Sequence, residues 1–245
     1  MSNKTHACLN CGAHFSGKFC QACGQRTDTR RITVRSLLTH DLLHAIFHLE
    51  TQLLYTLKQL LIRPGHAIRE YLQGHRVRHT NFFSLLVIII LVLTWLEHTV
   101  DFHYQDLGET PTRQLEGFYK FRSEYPKLLL IGVIPFFALI SYLVFRKARQ
   151  NYAEHFVINA YKSCGTLLFT IVLVASKLFI RDLAVIRKID FVILSVIHLY
   201  SFMLFFQYFS AFNYKKVTLI LLCTACTLLP YILIVFLIAG LTVTN

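Results

Sequence analysis

Four cysteines near the start of the chain, Cys8, Cys11, Cys20 and Cys23, form the pattern C-x2-C-G-x7-C-x2-C-G. Two such pairs put four thiolates within reach of one tetrahedral ion, and Gly12 and Gly24 permit the tight turn that each knuckle needs. Two disulfides fit poorly in a reducing compartment. The spacing therefore predicts a structural metal site, with zinc the leading ion, although an iron centre uses the same four thiolates. Protein fills every tetrahedral position, so nothing is left open for catalysis, and metal binding should supply most of this short segment's folding energy. His6 and His14 lie nearby and are surplus to a complete site.

Other polar residues are candidates for chemistry. His40, His44 and His48 recur at i, i+4 and i+8, and His75 and His79 repeat that spacing. Adjacent pairs could chelate an ion, but a histidine-box metalloenzyme needs further paired boxes, and only His155 and His198 follow His103. Glu154 and His155 sit side by side, a carboxylate and an imidazole suited to acid–base work or to binding a cation. Neighbours in sequence on a helix do not face each other, which favours structural roles for both. His198 falls near the middle of a predicted span, where an ionisable group is a functional candidate. Glu50 lies about 40° from the centre of an otherwise apolar helix face and needs a partner there. Cys164, Cys223 and Cys226 lie in apolar runs and read as small packing residues. No G-x-S-x-G, Walker or H-E-x-x-H signature occurs.

The elements that must position these residues are helices in a membrane. Of 245 residues, 55% are hydrophobic and only 16% charged, and Phe alone contributes 21. A soluble domain of this size needs more polar surface. The formal charge is +12, and 11 of the 25 Lys and Arg precede Asn81. Such an arm serves nucleic acid or an anionic surface, and beside apolar helices the anionic inner leaflet is the simpler partner. Five spans are predicted, at 80–97, 128–145, 164–181, 191–209 and 217–243, with Pro135 and Pro230 as bending points.

Residues 36–62 form an amphipathic helix, with Leu42, Ile46, Leu49, Leu53, Leu57 and Leu60 on one face. It suits the membrane surface rather than a crossing. Arg63-Pro64-Gly65 breaks it. Arg69, Arg76 and Arg78 then flank the first span as anchors for phosphate headgroups. Three regions result: a zinc ribbon over 1–27, a basic linker with interfacial helices over 28–79, and an all-α transmembrane bundle over 80–245.

No apolar signal-peptide core opens the chain, so the N-terminus is expected in the cytoplasm. The segments then placed inside carry 17 of the 25 Lys and Arg, whereas the loop 98–127 is comparatively acidic. N-terminus in and C-terminus out follows, although Arg187 and Lys188 in the loop 182–190 run against it.

The paired C-x-x-C-G knuckles, the T-x-x-x-L-x-x-R-P-G stretch ending at Arg63-Pro64-Gly65, Tyr71 followed by Gly74-His75-Arg76, and Tyr152-x-Glu154-His155 together resemble an uncharacterised bacterial family of zinc-ribbon membrane proteins, a domain of unknown function. The chain departs from that pattern at His75, where the family has Lys, and at Tyr161, where it has His. The resemblance implies an inner-membrane protein with a cytoplasmic ribbon, and it supplies no activity.

The leading expectation is a non-enzymatic docking or scaffold protein, its ribbon facing a protein partner and its basic residues facing anionic lipid. A transporter or channel built on His198 and the Glu154–His155 mouth is the first alternative. A lipid-acting enzyme with a cleft lined by His44, Glu50 and His155 is the second.

Overall fold

The computed structural model describes residues 6–27, 29, 31–37, 50–100, 126–180 and 182–243. Two short strands, β1 (His6–Ala7) and β2 (His14–Phe15), pair antiparallel with His6 opposite Phe15. After a single helical turn at Val34–Ser36, the described chain is helical. Its helices are α1 (Glu50–Ile62), α2 (Pro64–Leu72), α3 (Phe82–Val100), α4 (Pro126–Val144), α5 (Tyr152–Ser176), α6 (Leu183–Phe209) and α7 (Lys216–Val243).

Helix α3 shows why the bundle forms and why its outside is apolar. Phe82, Leu85, Leu86, Ile89, Leu93 and Leu96 are buried, at the three- and four-residue spacing of one helix face. The opposite face is no more polar: Leu91 and Trp95 are 63% and 68% exposed. Phe191 and Leu199 on α6 and Leu221 on α7 are likewise exposed. Apolar patches of this extent mark a surface that meets something other than water.

Three helices, Phe82–Val100, Tyr152–Ser176 and Ala184–Phe209, are long and apolar enough to cross a membrane. Helices α4 and α7 supply the shorter apolar stretches Gly132–Val144 and Lys216–Pro230. Three of the five predicted crossings thus meet that standard among the described residues. Pro135 and Pro230 lie inside α4 and α7.

Two boundaries differ from those predicted. Helix α5 begins at Tyr152 rather than near 164, because Asn151 and Glu154 form a reciprocal capping box at its start. Its first three turns carry Glu154, His155, Asn159 and Lys162, which lower the average hydropathy although all four are buried. Helix α6 begins at Leu183, capped by Asp182, so most of the predicted loop 182–190 is helix with Arg187 and Lys188 exposed on it.

Helix α5 is the hub, packing on α1, α2, α3, α4 and α6. Ala153, Ala160, Ser163, Cys164 and Gly165 keep it slim enough for close neighbours. Consecutive long helices alternate in direction. One end of the bundle therefore gathers the ribbon, α1, α2, the start of α3, the turn 145–151 and the turn 210–215. Tyr161 Oη donates to the Thr80 carbonyl, Tyr208 Oη to Gln150 and Tyr214 Oη to the Phe145 carbonyl, which ties that end together.

Of the predicted helix 36–62, residues 38–49 lie outside the described residues, His40, His44 and His48 among them. Over the described part, Leu60 is buried and Leu53 and Leu57 pack against the core as the helix wheel requires. Thr56 is also buried and accepts the Thr80 amide proton at 2.8 Å, which fixes the entry to α3.

Candidate metal centre and its seat on the helices

The two knuckles are built alike. The Gly12 amide donates to the Cys8 carbonyl at 2.9 Å, and the Gly24 amide to the Cys20 carbonyl at 2.8 Å. Gly12 and Gly24 adopt φ +75° and +76°, where a side chain would be strained. Each knuckle closes with a second bond, from the Cys8 amide to Ala13 and from the Cys20 amide to Gln25.

The four Sγ atoms all lie within 4.8 Å of one another, with Cys8–Cys23 and Cys11–Cys20 at 3.6 Å. A disulfide needs about 2.0 Å. A tetrahedron of sulfurs, each about 2.3 Å from a central ion, has edges of about 3.8 Å. The donor set therefore fits a four-thiolate metal ion.

The thiols also influence one another. Burial opposes the Cys8 thiolate, but the amides of Cys11 and Asn10 and the thiols of Cys23 and Cys11 bring its pKa down from 9.0 to about 7. Cys11 is helped by the Ala13 amide, yet desolvation and the neighbouring thiols push it up to about 12. Four thiolates this close need a cation among them before all can ionise. Cys8 and Cys20 are buried with Phe15, whereas Cys11 is exposed. His6 and His14 stand on the exposed strands, outside the sulfur cluster.

Two contacts seat the ribbon on the helices. Leu9, at the tip of the first knuckle, lies directly over Gly74 in the turn after α2. The Arg76 amide donates to Gln25 Oε1 at 3.4 Å. Between these, a cleft of about 410 Å³ is lined by Cys11 and Cys23 on one side and by Tyr55, Glu70, His75 and Arg78 on the other. Glu70 is held by Arg63 at 3.1 Å and faces His79 Nε2 at 3.6 Å. His79 is enclosed by the edges of Tyr55 and Tyr71, and this burial depresses its pKa below 6.5 against the pull of Glu70.

The segment after the ribbon is strapped down separately. Arg31 makes a two-pronged pair with Glu154, Nε to Oε1 at 2.6 Å and Nη2 to Oε2 at 2.7 Å. Asn151 Nδ2 donates to the Ile32 carbonyl, and Ile32 is 1% exposed. Glu154 is thereby committed twice, to the helix cap and to Arg31.

Helix α2 docks on the end of α6. A Cβ at position 65 would lie 2.5 Å from the Leu204 carbonyl oxygen and against the Tyr208 amide, so only glycine permits this approach. The Gly65 amide donates to Gln207 Oε1 at 3.1 Å. Arg69 Nη2 donates to the Gln207 and Tyr208 carbonyls, which the last turn of α6 leaves without helical partners. Arg69 is therefore a helix cap and not the predicted headgroup anchor. Arg76 lies over the Tyr71 ring at 5.3 Å, and Arg78 is exposed at the cleft.

The candidate polar residues are not brought together. His155 Nδ1 meets Ser141 Oγ of α4 at 3.0 Å, and Asn159 Nδ2 donates to the same oxygen at 2.8 Å. His155 stacks on Phe209 and is 1% exposed, so it lines no lateral cleft. His198 Nδ1 lies 2.8 Å from the Leu194 carbonyl, one turn back on its own helix. The Glu50 side chain lies outside the described residues. Cys164, Cys223 and Cys226 are buried among apolar residues, as expected of packing residues.

Lys162, counted with the inside loops on hydropathy alone, was the residue missed. It is buried 10 residues into α5, its Nζ 4.4 Å from the Phe137 ring and 5.7 Å from the Phe205 ring. The signal was available in the spacing of His155, Asn159, Lys162, Thr166 and Thr170 along one helix face.

Residues 50–94 match the model of a family described as protein of unknown function, DUF3667. The match covers α1, α2 and the first part of α3, which carry the Gly65 contact, the Arg69 cap and the Glu70–His79 pair. No curated protein and no solved structure matches the chain.

Proposed function

We propose that the chain is a five-span inner-membrane protein of the resembled zinc-ribbon type, whose ribbon is a docking module held at the cytoplasmic face. The observation that carries this reading is the ribbon's attachment. A closed four-thiolate site is fixed to the helices through Leu9, Gln25 and the Arg31–Glu154 strap, while Phe19, at the start of the second knuckle, stays exposed. Phe19 on that knuckle is 56% exposed, between Lys18 and Arg26. An exposed aromatic with flanking cations on a rigid mount suits a protein partner with an acidic, aromatic-accepting surface.

The charge distribution supports the orientation. The end that carries the ribbon also carries Lys58, Arg63, Arg76, Arg78, Arg146, Lys147, Arg149, Lys215 and Lys216. Anionic headgroups there meet the basic residues of this end. The ribbon is a structural zinc site in this reading, since zinc is the common ion of closed four-cysteine ribbons.

A photo-crosslinking residue at position 19 of the full chain, irradiated in intact membranes, tests the docking role. The expected result is a discrete protein adduct that zinc chelation abolishes. Adducts with lipid alone, or a protein adduct indifferent to chelation, would contradict it.

A further inference from the structure

We infer that the interior face of α5 holds a binding site for a small inorganic anion, centred on Lys162. This site is separate from the docking ribbon, and either reading stands without the other.

Lys162 lies about 15 Å along α5 from its start at Tyr152, given a rise of about 1.5 Å per residue. That level is close to the start of α3, because Tyr161 Oη meets the Thr80 carbonyl and Cys164 Sγ lies 3.9 Å from the Phe82 carbonyl. A charged side chain buried among apolar helices is costly unless something compensates it. The Phe137 and Phe205 rings flank the amine at 4.4 and 5.7 Å, a contact that is attractive for an ammonium and offers nothing particular to a neutral amine. The surroundings are therefore built for the cation.

Among the described residues no carboxylate pairs with Lys162. Glu154, two turns back on the same helix, is bound by Arg31 and by the Asn151 amide. Glu70 is bound by Arg63 at the end of the bundle. Ring faces alone do not replace a full negative charge in a low-dielectric interior.

Two further polar atoms share the face. His155, Asn159 and Lys162 fall at i, i+4 and i+7, within about 60° of one another around the helix. His155 Nε2 and Asn159 Oδ1 are both buried, and neither has a hydrogen-bond partner among the described residues. Buried polar atoms of this kind are normally satisfied by ordered water or by a ligand. Thr166 and Thr170 continue the stripe, each bonded to a carbonyl of its own helix.

The sign of the charge selects the ligand class. One positive charge in an otherwise uncharged polar stripe repels cations and attracts anions. The ammonium supplies up to three donors. The Ser141 hydroxyl donates to the Ala138 carbonyl, so His155 Nδ1–H donates to Ser141 Oγ and Nε2 is left an acceptor. Nε2 and Asn159 Oδ1, both acceptors, suit waters that in turn donate to the anion. A monovalent ion that keeps part of its hydration fits this set.

Bromide is the probe for the test, with gluconate at equal ionic strength as the control and the zinc-loaded full chain in detergent as the sample. The melting temperature should rise with bromide and saturate. Lys162→Arg should keep this response, and Lys162→Met should weaken the apparent bromide affinity at least tenfold. Should Lys162→Met fail to fold, anomalous scattering from crystals of the unaltered protein grown in bromide decides. A bromide peak between α4, α5 and α6 beside Lys162 is expected. No saturable response together with no peak at Lys162 would overturn the site and leave a line of internal water in its place.

Discussion

Replacing Gly65 by alanine probes the contact that joins the family-matched segment to the bundle, and the sign of the effect decides. In an exposed helix the substitution stabilises by up to about 1 kcal/mol. Here the added Cβ would meet the backbone of α6, 2.5 Å from the Leu204 carbonyl oxygen and 2.6 Å from Gln207 Cβ. Backbone cannot rotate away as a side chain can, so α2 must shift. Overpacking of this kind costs about 1–3 kcal/mol. The same shift withdraws Arg69 from the Gln207 and Tyr208 carbonyls, and a hydrogen bond to a charged group contributes about 1.5–3 kcal/mol. Set against the helix-propensity gain, the net loss is about 1.5–5 kcal/mol. Urea unfolding of the full chain in a fixed detergent reads it, with proteolysis at 73–81 reporting release of α2. A Gly65→Ala variant of equal or greater stability, with that turn still protected, would refute the close approach of α2 to α6.

Further consequences follow from the same contacts. Arg31→Ala should expose residues 29–37 to protease while the helices stay assembled, because Glu154 is left buried without its partner. The cost should fall at about 1–3 kcal/mol rather than the larger values of fully buried pairs, since Arg31 is 58% exposed. Glu154→Gln should be milder, because glutamine still completes the capping box. The pH response should centre on His79, whose neighbours are Glu70, Arg63, His75, Tyr55 and Tyr71. Its folded pKa is depressed, so the unfolded chain binds the proton more readily, and stability at this end should fall as pH drops below about 6.5. Amide exchange at 75–81 between pH 7.5 and 5.5 measures it, and an unchanged slope in His79→Gln would contradict the assignment. Reporter fusions at Asn245 and within 105–115 should both report the non-cytoplasmic side. A cytoplasmic signal at Asn245 would mean an even number of crossings.

Much of this architecture is legible in the sequence. The C-x-x-C-G repeats specify both knuckles, because spacing and turn glycines alone fix a four-thiolate cluster. The apolar runs locate the long helices for the same reason that such runs suit lipid. The start of α5 was not legible by hydropathy, since a moving average cannot tell whether Glu154 and Lys162 face water or the bundle interior. The capping box at Asn151 and Glu154 was the better signal. Arg69 looked like a headgroup anchor because position along the chain says nothing of the α6 carbonyls it caps. Those carbonyls come within reach only through a contact across 138 residues. The partners of Glu154 and His155 were hidden similarly, in Arg31 and Ser141 of other elements.

The central claim, a metal-built ribbon mounted on a helical bundle, is tested most directly by metal analysis of the full chain extracted from membranes. One zinc ion per chain is expected. It should be lost when Cys20 and Cys23 are replaced by serine, with the amides of 8–26 losing protection and those of α3 and α5 keeping it. A metal-free or iron-loaded protein whose ribbon amides are as protected as before would contradict the account.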